Sequence, residues 1–222
     1  MNGRWSAERR AVAEAAREME RLGLVAVSSG NVSVRLTDGE RLLVVITPTS
    51  VPYARMSADD VVVVDEEGEP VEGERAPSSE LQIHAAVYRA RRDARAVIHA
   101  HAAHASACSV AGLDIPPVVD EMVIALGGGV RVGDYAFPSS RELADNTVAA
   151  LGDRKAALLR NHGLVAIGGN LEEAVANARL VERAAQVFVL ARVLGQVNLL
   201  PSQVLERERA IYEMKLRAQR DA

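Results

Sequence analysis

The sequence predicts an α/β fold in which helices cover a mostly antiparallel sheet. Two observations carry this. Short runs of β-branched residues bounded by Gly, Pro and Asp follow one another through the N-terminal third, and amphipathic or alanine-rich stretches of helical period are interleaved with them without regular βαβ spacing. No internal repeat and no low-complexity linker divides the chain, so one domain over 1–222 is expected, with a core of about 6–196 and a polar tail over 197–222.

The elements follow in order. Ala11, Val12, Ala15, Ala16, Met19 and Leu22 have the three-and-four spacing of an amphipathic helix that Ser6 can cap and Gly23 can stop. GNVSVRL, GERLLVVITP and DDVVVVDEEG read as strands joined by tight turns. The stretch from Ser79 to Arg91 is helical in pattern, and the serines of Pro77-Ser78-Ser79 can cap it. ARAVIHAHA is strand-like, with a helix running on to Ser109. LADNTVAALGD predicts a short helix ended by Gly152, and AALLRNHGLVAIG a buried strand with a turn at His162-Gly163. LEEAVANARLVERAAQVFVLARVLG predicts a long helix stopped by Gly195, with its apolar face in the core. The tail ERERAIYEMKLRAQRDA is polar enough for a loose surface helix.

Composition narrows function. With 26 basic against 30 acidic residues, both signs scattered, and seven aromatics, the chain lacks the charge and stacking surface of a nucleic-acid binder. No stretch approaches the roughly 18 apolar residues of a membrane span, and the first thirty residues have no apolar segment of a secretory leader. A lone Cys108 excludes disulfides and cysteine zinc fingers, fits a cytoplasmic location, and is expected to pack as a small hydrophobe.

The chemistry rests on a few residues. His99 and His101, spaced i, i+2 in a strand-like run, project to one face and can close on one metal ion, although histidines in a strand are also ordinary polar residues. A third ligand can come from His84, His104 or His162, the last at a glycine turn from which a side chain can be aimed rigidly. Glu80 opens a helix whose free N–H groups can bind an anion, or simply follows a capping sequence. Gly30-Asn31-Val32-Ser33 and Thr47-Pro48-Thr49-Ser50 can cradle a phosphate, yet each alone reads as a plain turn, and neither these nor Ala125-Leu126-Gly127-Gly128-Gly129 fits a nucleotide-binding pattern.

The order GNVSVR, ITPTSVPY, PSSE with His84 four residues on, VIHAHAAHA, LLRNHGL and a Glu-rich helix resembles the class II aldolase and adducin family, most of all its L-fuculose-1-phosphate aldolase branch, from about Arg21 to Leu194. The resemblance implies that family's three-layer fold and a zinc ion, or Mn²⁺ or Co²⁺ in its place, held by His99, His101 and His162. It makes Glu80 the catalytic acid/base and a fourth ligand before substrate arrives. Asn31, Thr49, Ser50, Ser78 and Ser79 fall in the substrate-phosphate site. Implied too are cleavage of a ketose 1-phosphate to dihydroxyacetone phosphate and an aldehyde through a metal-stabilised enediolate, and a homotetramer with active sites at subunit interfaces.

Two positions depart from that branch. Ser50 stands where a glycine is usual, which is expected to weaken or reshape phosphate binding. Glu121 stands where a neighbouring subunit supplies a tyrosine, so it is a candidate substrate or interface residue. The mobile C-terminal tyrosine has no counterpart in register, Tyr212 being the nearest. The alternatives are a sugar-phosphate 4-epimerase, a decarboxylase on the same fold, or a non-catalytic adducin-like interaction module. The epimerases carry Asp in place of Glu80, and an interaction module has no need of the histidines.

Overall fold

The computed structural model of the chain describes residues 3–39 and 41–220, with side chains to residue 218; the last residues of the predicted tail lie outside the described residues. Eight strands form one sheet: β1 (Asn31–Asp38), β2 (Arg41–Ile46), β3 (Val62–Asp65), β4 (Pro70–Glu72), β5 (Ala96–Ala100), β6 (Arg131–Gly133), β7 (Ala156–Leu159) and β8 (Gly163–Gly168). Their order is β4-β3-β2-β1-β5-β8-β7-β6, and only the β6–β7 pair is parallel.

Period-two alternation splits the apolar residues between two faces. On one, Val32, Val45, Ile98, Leu158 and Leu164 pack against α1 (Ser6–Arg21), α3 (Ala103–Val110) and α5 (Leu171–Leu194). On the other, Val44, Ile46, Val97, Leu159 and Val165 pack against α2 (Leu81–Ala90) and α4 (Arg141–Leu151). The result is the three-layer arrangement expected. Val12 and Met19 of α1 are fully buried, which contributes about 1.5–3 kcal/mol each by removing apolar surface from water.

Several local expectations need correction. Ser6 is the first helical residue of α1, not its cap, and Trp5 at the cap position makes no side-chain capping bond. The apolar run 156–168 is a hairpin of β7 and β8 joined through residues 160–162, because Asn161 takes a left-handed backbone (φ 57°) that reverses the chain. The short strands β4 and β6 and the π-helical turn Met122–Leu126 were not foreseen; β4 and β6 have three residues each, too few to show a period. The long helix α5 is buried only in its first two-thirds: Val187, Leu190, Val193 and Leu194 are 40%, 53%, 78% and 88% exposed.

The tail forms α6 (Ser202–Arg220), and it is docked, not loose. Tyr212 and Leu216 are buried, the Tyr212 hydroxyl donates to Asp153 O at 2.6 Å, and Arg209 donates to Gly127 O while pairing with Asp153. Tyr212 is thereby an anchor of α6 rather than a mobile side chain.

Candidate metal centre

Three segments that are remote in sequence meet at the end of β5. His99 lies within β5 and is fully buried; His101 follows one residue beyond it. Next to β5 runs β8, and the turn before β8 carries His162, whose N–H closes the turn on Leu159 O at 3.0 Å. Glu80 occupies the cap position of α2 and is 7% exposed.

Two glycines permit this convergence. At Gly163 a Cβ would fall on Ala100 O and lie 3.0 Å from His101 Cδ2. At Gly30 (φ 89°) it would lie 2.5 Å from His99 O. Any side chain at either position would push its neighbour strand away from β5 where the histidines sit.

The three imidazoles pack edge to face, with centroids 4.7–4.9 Å apart. His99 Nδ1 donates to Leu164 O at 2.9 Å, which leaves Nε2 bare and aimed at the cluster. There it lies 2.9 Å from His101 Nε2 and 2.9 Å from Glu80 Oε2. His162 Nε2 lies 3.4 Å from Glu80 Oε1, an oxygen that is buried without a hydrogen-bond partner. One ligand atom from each of Glu80, His99, His101 and His162 lies within 4.8 Å of the other three.

The donor set suits a divalent transition ion. Three nitrogens and a carboxylate oxygen match the ligand chemistry of zinc, and a buried carboxylate oxygen without a partner is costly unless a cation or donor completes it. Electrostatics agree. Burial, then the nearness of His99 and His162, holds His101 down at about 4, and burial with His99 lowers His162, so both imidazoles are neutral near neutral pH. Burial pushes the Glu80 carboxyl up, but the neighbouring His99 and His162 imidazoles and a hydrogen bond from Asn31 outweigh that and hold it at about 2.

The other candidate residues divide. Residues 47–49 and 76–78 are tied together: Thr49 N–H donates to Ala76 O at 3.1 Å and Ser78 N–H to Thr47 O at 3.1 Å, around a bridge between Pro48 and Pro77. This sets exposed Thr49 and Ser50 on the chain segment beside Ser78 and Ser79. Ser50 has φ 60°, so the loop keeps the left-handed backbone that a glycine would take, with a Cβ added. Ser78 Oγ accepts from Glu80 N–H at 3.3 Å, and Asn31 Nδ2 donates to Glu80 Oε2 at 3.3 Å.

Glu121 is exposed at the start of the π-helical turn and is not among the grouped ligands of its own chain. His84 is fully buried, held to Asn31 and Ser33. His104 pairs with Glu182 at 2.7 Å, and the same carboxylate accepts from the His104 and Ala105 N–H groups. Glu182, from α5, so caps α3 just after His101. No sequence signal joined positions 104 and 182; only the Glu-rich character of the helix was visible. Cys108 is buried, as expected of a small hydrophobe.

Comparison with known proteins bears on what this centre belongs to. Residues 10–189 match the model of the Class II Aldolase and Adducin N-terminal domain. L-fuculose phosphate aldolase of Escherichia coli (strain K12) is 42% identical over 172 residues, 78% of each chain. The 5-deoxy-D-ribulose 1-phosphate aldolase of Bacillus thuringiensis serovar kurstaki is 34% identical over 199 residues, covering 90% of this chain and 92% of that one. A solved L-fuculose 1-phosphate aldolase superposes with a TM-score of 0.87 at 33% identity, over 93% of this chain and 96% of that structure. Fold, sequence and structural likeness agree: the chain belongs to the class II aldolase and adducin family, as an enzyme of its carbon–carbon lyase kind.

Proposed function

We propose that the protein is a zinc-dependent aldolase that cleaves a ketose 1-phosphate to dihydroxyacetone phosphate and an aldehyde. The observation that carries this is the buried Glu80 carboxylate ringed by His99, His101 and His162, with Oε1 left without a partner. A divalent cation held there supplies positive charge to negative charge developing at the substrate's carbonyl and neighbouring hydroxyl oxygens.

The chain's own residues do the rest. As the C3–C4 bond breaks, its electron pair moves toward C2, and Glu80, fixed at the head of α2, passes to C3 a proton that it takes up from solvent. Asn31, Thr49, Ser50, Ser78 and Ser79 hold the phosphate with amide, hydroxyl and loop N–H donors, which need no lysine or arginine. Glu121, exposed on its own chain, is the residue offered to substrate or to a neighbouring subunit, and the proton of the C4 hydroxyl leaves toward that side of the site. A homotetramer is supported by the exposed apolar end of α5, where Val187, Leu190, Val193 and Leu194 face solvent in one chain. A single domain fits the one continuous sheet, and no helix among the described residues is long and apolar enough to cross a membrane.

Two ketose 1-phosphates compete as substrate. Likeness to the L-fuculose phosphate aldolases has the higher identity, but the 5-deoxyribulose 1-phosphate aldolase match covers 90% of the chain against 78%. The test is release of dihydroxyacetone phosphate from a panel of ketose 1-phosphates containing both, coupled to its reduction by NADH. Release from at least one, abolished by chelation and restored by Zn²⁺, Mn²⁺ or Co²⁺, is expected. A ketose phosphate epimerised or decarboxylated without triose release would overturn the aldolase reading. Light scattering that gives a monomer would overturn the tetramer.

A further inference from the structure

A row of buried polar groups runs from the far side of β1 to the centre: Tyr88, Ser33, His84, Asn31 and Glu80, each 7% exposed or less. Tyr88 Oη is 2.7 Å from Ser33 Oγ, and Ser33 Oγ is 2.6 Å from His84 Nδ1. His84 Nε2 is 2.5 Å from Asn31 Oδ1, and Asn31 Nδ2 is 3.3 Å from Glu80 Oε2.

Chemistry sets the direction of every link. An ionised carboxylate only accepts, so the Asn31 atom facing Glu80 is the amide nitrogen. That turns Oδ1 toward His84, and since Oδ1 only accepts, Nε2 must carry the ring hydrogen. Nδ1 of the neutral ring is then the acceptor and takes the Ser33 O–H, which frees the Ser33 oxygen to accept from the Tyr88 hydroxyl. Each link in the row joins one donor to one acceptor, and the second N–H of the Asn31 amide is left for a further acceptor.

We infer that His84 is a positioning residue: held as its Nε2–H tautomer by Ser33 and Tyr88, it locks the Asn31 carboxamide with its NH₂ toward Glu80 and the substrate phosphate. Without that lock the carboxamide can turn over and present an acceptor to two anions. This rests on the reading of Asn31 as a phosphate ligand, while the tautomer itself does not.

Two measurements test it. In long-range ¹H–¹⁵N correlation spectra of the ¹⁵N-labelled protein, the His84 signals, identified by their loss in His84→Gln, are expected to show a bare Nδ1 and a protonated Nε2. A protonated Nδ1 overturns the proposal. In calorimetric titration with inorganic phosphate, His84→Gln, which keeps an N–H donor, is expected to bind within about threefold of the unmodified chain, and His84→Leu about tenfold or more weakly. Equal binding by both variants overturns the proposal and makes His84 mere packing. If the unmodified chain binds no phosphate, it is the phosphate role of Asn31 that fails. The Asn31 NH₂ resonances then decide His84: unchanged in the Gln variant and displaced in the Leu variant if it positions Asn31, alike in both if it does not. Should the Leu variant not fold, the tautomer in the unmodified chain still decides.

Discussion

Replacing Gly163 by alanine probes the link between sheet packing and the centre. The new Cβ would overlap Ala100 O, approach Ala100 C to 3.3 Å and reach 3.0 Å from His101 Cδ2. The atom struck is backbone inside the β5–β8 ladder, paired here as Ala100 with Leu164, so it cannot swing aside as a flexible side chain would. Overpacking of a closed core costs about 1–3 kcal/mol. For a chain of this size that is a fall of roughly 2–12 °C in the melting temperature. The larger effect falls on the ion, because His101 and His162 sit on either side of the contact and ligand distances tolerate only about 0.2 Å. We expect metal affinity to drop about ten- to a hundredfold, read by competition with a chromophoric chelator. Gly39→Ala is the control: Gly39 has φ 64° but nothing within 4 Å of the added atom. It should cost only the left-handed penalty, about 1 kcal/mol, and leave affinity unchanged. If Gly163→Ala melts and binds metal as the unmodified chain does, the packing account of the centre is wrong.

Further outcomes follow from the same geometry. Glu80→Gln should retain metal through the three histidines yet lower turnover by about 10²–10⁴; activity within tenfold of normal would remove Glu80 as the proton donor. Ser50→Gly should relieve a left-handed serine at φ 60°, a gain of about 1–2 kcal/mol offset by about 0.5–1 kcal/mol of chain entropy, so the melting temperature should rise by a few degrees; a fall would mean that the serine side chain is itself holding the loop. Burial first, then the charge of His99, holds His84 down at about 3, as His101 is held at about 4. With depressed imidazole pKa values the unfolded chain takes up the protons first. The stability these rings contribute is therefore full above about pH 6.5 and is lost as pH falls from there toward 4 and 3. Urea midpoints measured from pH 7.5 to 4 should decline across that range, and a flat profile would contradict neutral, buried rings.

The sheet and its helices were legible because β-branched runs and three-four spacing report directly which face is buried. The hairpin at 160–162 was half hidden: its strands are apolar throughout, buried on both faces, so no alternation marked two strands instead of one. Of the centre, the i, i+2 pair His99 and His101 could be read from spacing, but spacing alone left His162 level with His84 and His104. Resemblance separated them; in the structure His84 is turned into the Ser33–Asn31 row, His104 is taken by Glu182, and His162 lies beside His99 and His101. Nothing in the sequence announced Glu182 as the cap of α3, or Leu164 O as the acceptor that orients His99. Both are contacts across 60 or more residues, made by a backbone carbonyl or a commonplace surface acid. Ser50 was expected to disturb the phosphate loop, yet its backbone holds the left-handed turn, so the change is one of strain and added bulk rather than of path.

If Glu80, His99, His101 and His162 form one metal centre, the chain binds a divalent ion in fixed stoichiometry. Protein stripped with chelator, reloaded with Zn²⁺ and desalted should carry one ion per chain by plasma emission spectrometry. His99→Ala, which removes the ring at the middle of the cluster, should carry close to none while retaining its helical circular dichroism. An unmodified chain that holds no stoichiometric divalent ion, or a His99→Ala variant that holds as much as the unmodified chain, would contradict the account.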